Sequence, residues 1–249
     1  MTDAKGLFSS NPDKCAKAVA RLSYNAHLGH PKPELLPAIV KLLGHRETNV
    51  RCVATWAVAE YAKMGITSGK ALGQLVTLLR DPEPNTRGVA TWAIAEYAKN
   101  GLIRNEATRH LAELLKEANN FTQKWAAEAV VWYALHGHTY NEILTTLVPL
   151  LQSSEPEIKR WAAEAVVWYA LHGHTDDRAY PVLVALLEDP NPEVRRWTAE
   201  AVAAYTAKSG ANKETVKQLK RILQNEESNT PAREAMETIY ALAREKQES

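Results

Sequence analysis

Tryptophan standing next to glutamate along a helix is the chemistry this sequence offers most often. All seven tryptophans (Trp56, Trp92, Trp125, Trp132, Trp161, Trp168 and Trp197) lie three or four residues from Glu60, Glu96, Glu128, Glu164 or Glu200. Residues at those separations are neighbours on an α-helix. An indole face attracts ammonium and guanidinium groups, an interaction worth about 0.5–2 kcal/mol depending on desolvation. A carboxylate alongside adds a charge-assisted partner. Such pairs suit a cationic ligand. A second reading accounts for the same residues, since tryptophan also buries a large area between packed helices. Each glutamate has a cation within helical reach: Lys124–Glu128, Arg160–Glu164 and Arg196–Glu200 at spacing four, Glu60–Lys63 and Glu96–Lys99 at spacing three. Pairs of this kind stabilise an exposed helix by only about 0.2–0.5 kcal/mol each and need no ligand.

The remaining chemistry-bearing residues are fewer. His136, His138, His172 and His174 come from two His-Gly-His segments. Imidazoles ligate transition metals, but a histidine at a helix C-terminus is also favoured by the helix dipole, and no metal or other cofactor is expected. Cys15 and Cys52 are the only cysteines. They are expected to be free thiols that could face one another across adjacent repeats. Gly-rich phosphate loops, nucleophile elbows and metalloprotease motifs do not occur, so the expectation is a protein that is not an enzyme.

Composition narrows the class. The 249 residues carry 30 Lys+Arg against 29 Asp+Glu, and 45% are hydrophobic. That is enough to bury a core and too balanced for strong non-specific nucleic-acid binding, so nucleic acid is not the expected partner. The first residues lack the apolar stretch of a secretory signal, and no run approaches about 18 apolar residues. The expected compartment is the cytoplasm, without membrane attachment.

A period of 36 residues organises all of this. Tyr61, Tyr97, Tyr133, Tyr169 and Tyr205 keep the step, as do the apolar pairs Leu42-Leu43, Leu78-Leu79, Leu114-Leu115, Leu150-Leu151, Leu186-Leu187 and Ile222-Leu223. Tyr24 and Tyr240 fall one residue off this grid, and "WAAEAVVWYALHGHT" recurs identically at 125–139 and 161–175. Each unit holds two apolar segments of helical periodicity joined by a polar turn such as "RDPEPNT" (80–86). Proline fits the first helical turn, where side-chain oxygens satisfy open amides. Gly65, Gly101, Gly137 and Gly173 fit left-handed helix ends. With no strand-like alternation, the fold class is all-α. On a helical wheel Val50, Ala54, Ala57, Val58 and Tyr61 form the packing face of the second segment. The columns through 53, 56 and 60 share one flank and contain every tryptophan. Trp56 and Trp92 stand farthest from the packing face.

"LLPAIVKLL…NVRCVATWAVAEYA" and "AYPVLVALLEDPNPEVRRWTAEAVAAY" resemble HEAT repeats, relatives of armadillo repeats, over residues 12–243. The resemblance implies a right-handed α-solenoid of about six helix pairs plus a partial N-terminal cap, with second helices lining the concave side. In such an array no single pair can bury its own apolar face. We expect one domain over 1–249: a cap at 1–30, repeats at 31–65, 66–101, 102–137, 138–173 and 174–210, and a C-terminal repeat at 211–249. It also implies that the column Arg51, Arg87, Lys159 and Arg195, with Gln123 as its exception, supports turns. "VATWAVAEYA" and "VATWAIAEYA" are similar to the Trp-x-x-x-Asn pattern of armadillo nuclear-import receptors, which implies extended basic peptides as partners; Glu60 and Glu96 stand where that pattern has Asn. The expected function is a non-catalytic scaffold whose Trp/Glu groove takes a Lys/Arg-rich protein segment. "ATWAIAEYAK" (90–99) also looks like a helix of the HEAT-like DNA-alkylation-repair glycosylases, in which Trp56–Glu60 or Trp92–Glu96 would hold a cationic alkylated base. Against that alternative stand the strict period and the absence of a Trp-Trp-Asp signature. A bilin lyase-type subunit is a further alternative, on repeat similarity alone.

Overall fold

The computed structural model describes residues 2–209 and, beyond them, positions 217, 220, 221, 233 and 237. The C-terminal repeat expected at 211–249, with Ile222-Leu223 and Tyr240, lies outside the described residues except at those single positions. Among the described residues there are twelve α-helices and no strand. In order they are α1 (Thr2–Leu7), α2 (Pro12–His27), α3 (Leu36–Leu42), α4 (Thr48–Lys63), α5 (Gly69–Leu78), α6 (Pro84–Lys99), α7 (Glu106–Leu114), α8 (Asn120–Leu135), α9 (Asn141–Leu150), α10 (Pro156–Leu171), α11 (Ala179–Leu186) and α12 (Pro192–Ser209). Five helix pairs, α3/α4 through α11/α12, follow the 36-residue step after the N-terminal pair α1/α2.

The helix ends follow local chemistry. Pro12, Pro84, Pro156 and Pro192 open the first turns of α2, α6, α10 and α12, where a missing N–H costs nothing. Ahead of α6 and α12, Asp81 and Asp189 accept from the amides of Glu83 and Asn191 at 3.0 and 2.9 Å. Gly65, with φ at 77°, closes α4, a conformation that a Cβ would strain. Gly101, Gly137 and Gly173 repeat it, and Gly29 does the same after α2.

The chain divides into two compact units, Met1–His136 and Gly137–Ser249. In the first, the second helices α2, α4, α6 and α8 pack in succession, and α3, α5 and α7 each lie on their own second helix. In the second, α9 packs on α10, α11 on α12, and α10 on α12. Small residues permit the close approach: Ala54, Ala57, Ala59 and Ala62 of α4 are fully buried, together with Val50, Val58 and Tyr61 of the packing face. In α6 every residue from Gly88 to Ala98 is buried, as befits a helix covered on all sides.

Two columns lock each repeat. Every tyrosine on the 36-residue grid is buried and sends its phenol to the backbone 29 residues earlier. Tyr61 Oη accepts from the Lys32 amide at 3.1 Å and donates to the Lys32 carbonyl at 3.2 Å. Tyr133 and Tyr169 make the same two bonds with Arg104 and Tyr140, and Tyr97 and Tyr205 accept from the amides of Ser68 and Asp176. The basic column secures the other end. Arg51 donates to the His45 and Arg46 carbonyls of its own turn and pairs with Asp81 of the next, at 2.8 Å. Arg87 repeats this with Asp81 O, Pro82 O and Glu117. Lys159 pairs with Asp189, Arg195 donates to Asp189 O, and Gln123 to Leu115 O. These contacts are the turn support that the repeat resemblance implies.

Candidate binding face

The Trp/Glu columns are carried by the second helices. In the first unit they form a continuous aromatic ladder. Trp56 of α4 meets Trp92 of α6 edge-to-face at 5.4 Å, Trp92 meets Trp125 of α8 at 5.6 Å, and Phe121 closes on Trp125 at 6.2 Å. The wheel puts Trp56 and Trp92 equally far from the packing face, but the structure separates them. Trp56 is 45% exposed, whereas Trp92 is only 7% exposed and donates its indole N–H to Glu96 Oε1 at 3.1 Å. The physical reason is that Trp92 has a tryptophan on each side, while Trp56 has one on one side only. A wheel drawn for one helix contains no neighbouring rung.

The glutamates are buried as well. Glu60, Glu96, Glu128 and Glu164 are each at most 9% exposed, in place of the exposed positions the helix pairing suggests. Glu60 and Glu128 take partners from the preceding repeat, whereas Glu96 and Glu164 are paired on their own helices. His27 of α2 lies 3.1 Å from Glu60, and Lys63 is solvent-exposed. Lys99 of α6 bridges its own Glu96 at 3.4 Å and Glu128 of α8 at 3.2 Å, and its ammonium sits 5.8 Å from the Trp132 ring centre. Burial pushes the Glu128 carboxyl above its ordinary range, and Lys99 pulls partly against that shift. Lys124 lies over the Trp125 ring at 5.2 Å.

In the second unit the expected helix pairs are present. Arg160 stacks on Trp161 at 3.5 Å and donates to Glu164 at 2.8 Å. Arg196 lies over Trp197 at 5.3 Å and reaches Glu200 at 3.6 Å. Trp161, Trp168 and Trp197 are half-buried and Glu200 is exposed. The first unit therefore brings together Trp56, Glu60, Trp92, Glu96, Trp125, Glu128 and Trp132, and the second holds its own Trp/Glu set.

Beside Trp56 a cavity of about 410 Å³ opens between α2 and α4, lined by Ala20, Tyr24, His27, Val53, Trp56 and Glu60 among others. Reading the columns alone missed His27, this cavity, and the reach of Lys99 from Glu96 on to Glu128 and Trp132. The period carries their signal: His27, Lys63 and Lys99 are 36 apart, and so are Ala20, Trp56 and Trp92. Helix α2 thus places alanine in the tryptophan column, and the cavity is the rung it leaves out. Tyr24, in the column of Glu60, is 62% exposed.

Cys15 is buried, with its thiol donating to Leu7 O, while Cys52 is half-buried on the cavity wall; both are free thiols. His136 and His172 sit at the C-caps of α8 and α10. Among the described residues no three His, Cys, Asp or Glu side chains converge on a metal-sized site, and no helix is long and apolar enough to cross a membrane.

Comparison with known proteins bears on the repeat itself. Residues 36–131 and 144–242 match the HEAT repeats family. The chain belongs to that family. No curated protein matches it. Among solved structures, these HEAT repeats are similar to a designed armadillo repeat protein at 26% identity and TM-score 0.68, covering 81% of this chain and 98% of that one. A second designed armadillo repeat protein, solved in complex with peptide (KR)4, is similar at 25% identity and TM-score 0.67, covering 82% of this chain and 98% of that one. An engineered protein shares the fold at 23% identity and TM-score 0.68, over 83% of this chain and 98% of its own. The HEAT-repeat assignment accounts for the helix pairs, the polar turns and the basic column together.

Proposed function

We propose that this HEAT-repeat protein is a non-catalytic scaffold whose Trp/Glu face takes an extended, Lys/Arg-rich segment of another protein. The observation that carries this reading is Lys99. Its ammonium, held between Glu96 and Glu128 and near the Trp132 ring, is a working example of how the face receives a cation. At α4 the same kinds of group, Trp56 and Glu60, stand beside an open cavity instead of a lysine. The similarity to a designed armadillo repeat protein solved in complex with peptide (KR)4 supports a basic peptide as the ligand.

A fluorescein-labelled (Lys-Arg)4 peptide titrated with the protein tests this directly. Anisotropy should rise to saturation, the affinity should fall as salt screens the charges, and Trp56→Ala should weaken binding about tenfold, the equivalent of about 1.4 kcal/mol. An alternating Lys-Glu peptide of equal length should not bind. Equal affinity for both peptides, or no saturable binding of the basic one, defeats the proposal.

A further inference from the structure

The cavity between α2 and α4 has its own chemistry, and we infer that it is a binding site for an alkylated ammonium group, such as the head of trimethyllysine. Three observations lead there. First, the cavity exists because Ala20 stands in the column that holds Trp56 and Trp92, so one face of Trp56 lacks the neighbour that Trp92 has on both sides. A further aromatic ring, that of Tyr24, lines the same space and is 62% exposed. Second, the charged group on the wall is a carboxylate, Glu60, at 4% exposure. One of its oxygens, Oε1, is already engaged by His27 at 3.1 Å. Third, the rest of the lining is largely apolar: Ala20 and Val53 with the Cys52 thiol, and the Ser23 hydroxyl as its one further polar group.

These features favour a cation that carries no N–H. A bare lysine ammonium brings three donors and a guanidinium five, and each donor left without an acceptor in an apolar site costs free energy. A quaternary ammonium spreads its charge over methyl groups, makes apolar contact with Ala20 and Val53, and still gains from aromatic faces and the nearby carboxylate. This site goes beyond the peptide reading and does not depend on it, because a small cation can fill the cavity whether or not (Lys-Arg)4 binds anywhere on the face.

The test uses the whole chain and three small probes: N-acetyl-trimethyllysine amide, the unmodified lysine amide, and the neutral isostere with a tert-butyl group in place of trimethylammonium. Binding is read from tryptophan fluorescence and from saturation-transfer NMR of the probe methyl protons. Trimethyllysine should bind several-fold more tightly than either comparator, the scale of a cation–π contact at partly exposed rings. Glu60→Gln should reduce that preference several-fold. Ala20→Trp, placed on an exposed position, should supply the missing ring and abolish binding, with helical circular dichroism unchanged. The inference is overturned if the neutral isostere or plain lysine binds equally well, if trimethyllysine does not bind, or if a folded Ala20→Trp variant still binds it.

Discussion

At the scale of residues, the face is governed by buried carboxylates that depend on cations from their own helix or from the repeat before. Lys99 serves two of them, Glu96 and Glu128, while remaining 39% exposed in its side chain. Replacing it as Lys99→Met keeps the aliphatic stem and removes the charge. The expected cost at pH 7 is about 1–2 kcal/mol, less than for a fully buried pair because solvent screens the exposed ammonium. The sign of its pH dependence follows from Glu128. A carboxyl raised in the folded state holds its proton more tightly there than in the unfolded chain, so stability increases as pH falls through that raised value. Without Lys99 the rise is larger, and the deficit of Lys99→Met relative to wild type should shrink between pH 7 and pH 5 in urea titrations. A constant deficit contradicts this account. The Trp/Glu pairing was legible in the sequence as a column, but the burial of Trp92 and the identity of the cation for Glu60 were not. Both depend on the helix next door, which the angular position of a residue on its own helix does not contain.

At the scale of elements, the polar turns are held by charge pairs of unequal burial, which gives a graded expectation. Asp81 is 4% exposed in its side chain and Arg51 14%, whereas Glu117 and Arg87 are 26% and 22% exposed. Asp81→Ala should therefore cost about 2–4 kcal/mol, since it also strips the acceptor for the Glu83 amide. Glu117→Ala should cost about 1 kcal/mol or less. Chemical denaturation of the two variants side by side checks the order, and equal losses would reject it. Helix starts and stops were readable from proline, aspartate and glycine because those signals act within a few residues. The limit of such reading shows in α8 and α10, which share "WAAEAVVWYAL" letter for letter. Trp125 stacks on Trp92 and Glu128 meets Lys99, but Trp161 lies under Arg160 and Glu164 takes that same arginine. Identical strings sit in different surroundings because the residues just before them, Lys124 and Arg160, and the helices packed against them differ.

At the scale of the whole molecule, the tyrosine column links all five described regular repeats to one titration. Burial pushes the phenols of Tyr133 and Tyr169 up to about 12, and raises those of Tyr61, Tyr97 and Tyr205 as well. A phenol raised in the folded state contributes stability that is fully present below its unfolded value, about 10. That contribution is lost as pH climbs towards 12, at about 2–3 kcal/mol for each of the two most shifted groups. Loss of helical circular dichroism between pH 10 and 12 should coincide with phenolate absorbance near 295 nm as these tyrosines ionise. Ionisation of all of them well before the helices melt would contradict the burial argument. The period of 36 exposed this column in the sequence, because a repeated tyrosine needs no knowledge of its partner to be noticed. The partner, a backbone site 29 residues back, carries no side-chain signature and could be found only in space.

That constant reach makes the column a length gauge. From 32 to 61, 68 to 97, 104 to 133, 140 to 169 and 176 to 205, a phenol closes a loop of the same size around a first helix and its turn. A residue inserted inside any of these spans moves the phenol off its target, and the helix pair loses its closure. Between one closure and the next lie only seven steps, as from Tyr61 to Ser68, and these span the glycine terminus and the link to the next first helix. Insertions and deletions should thus be tolerated in one short window per repeat.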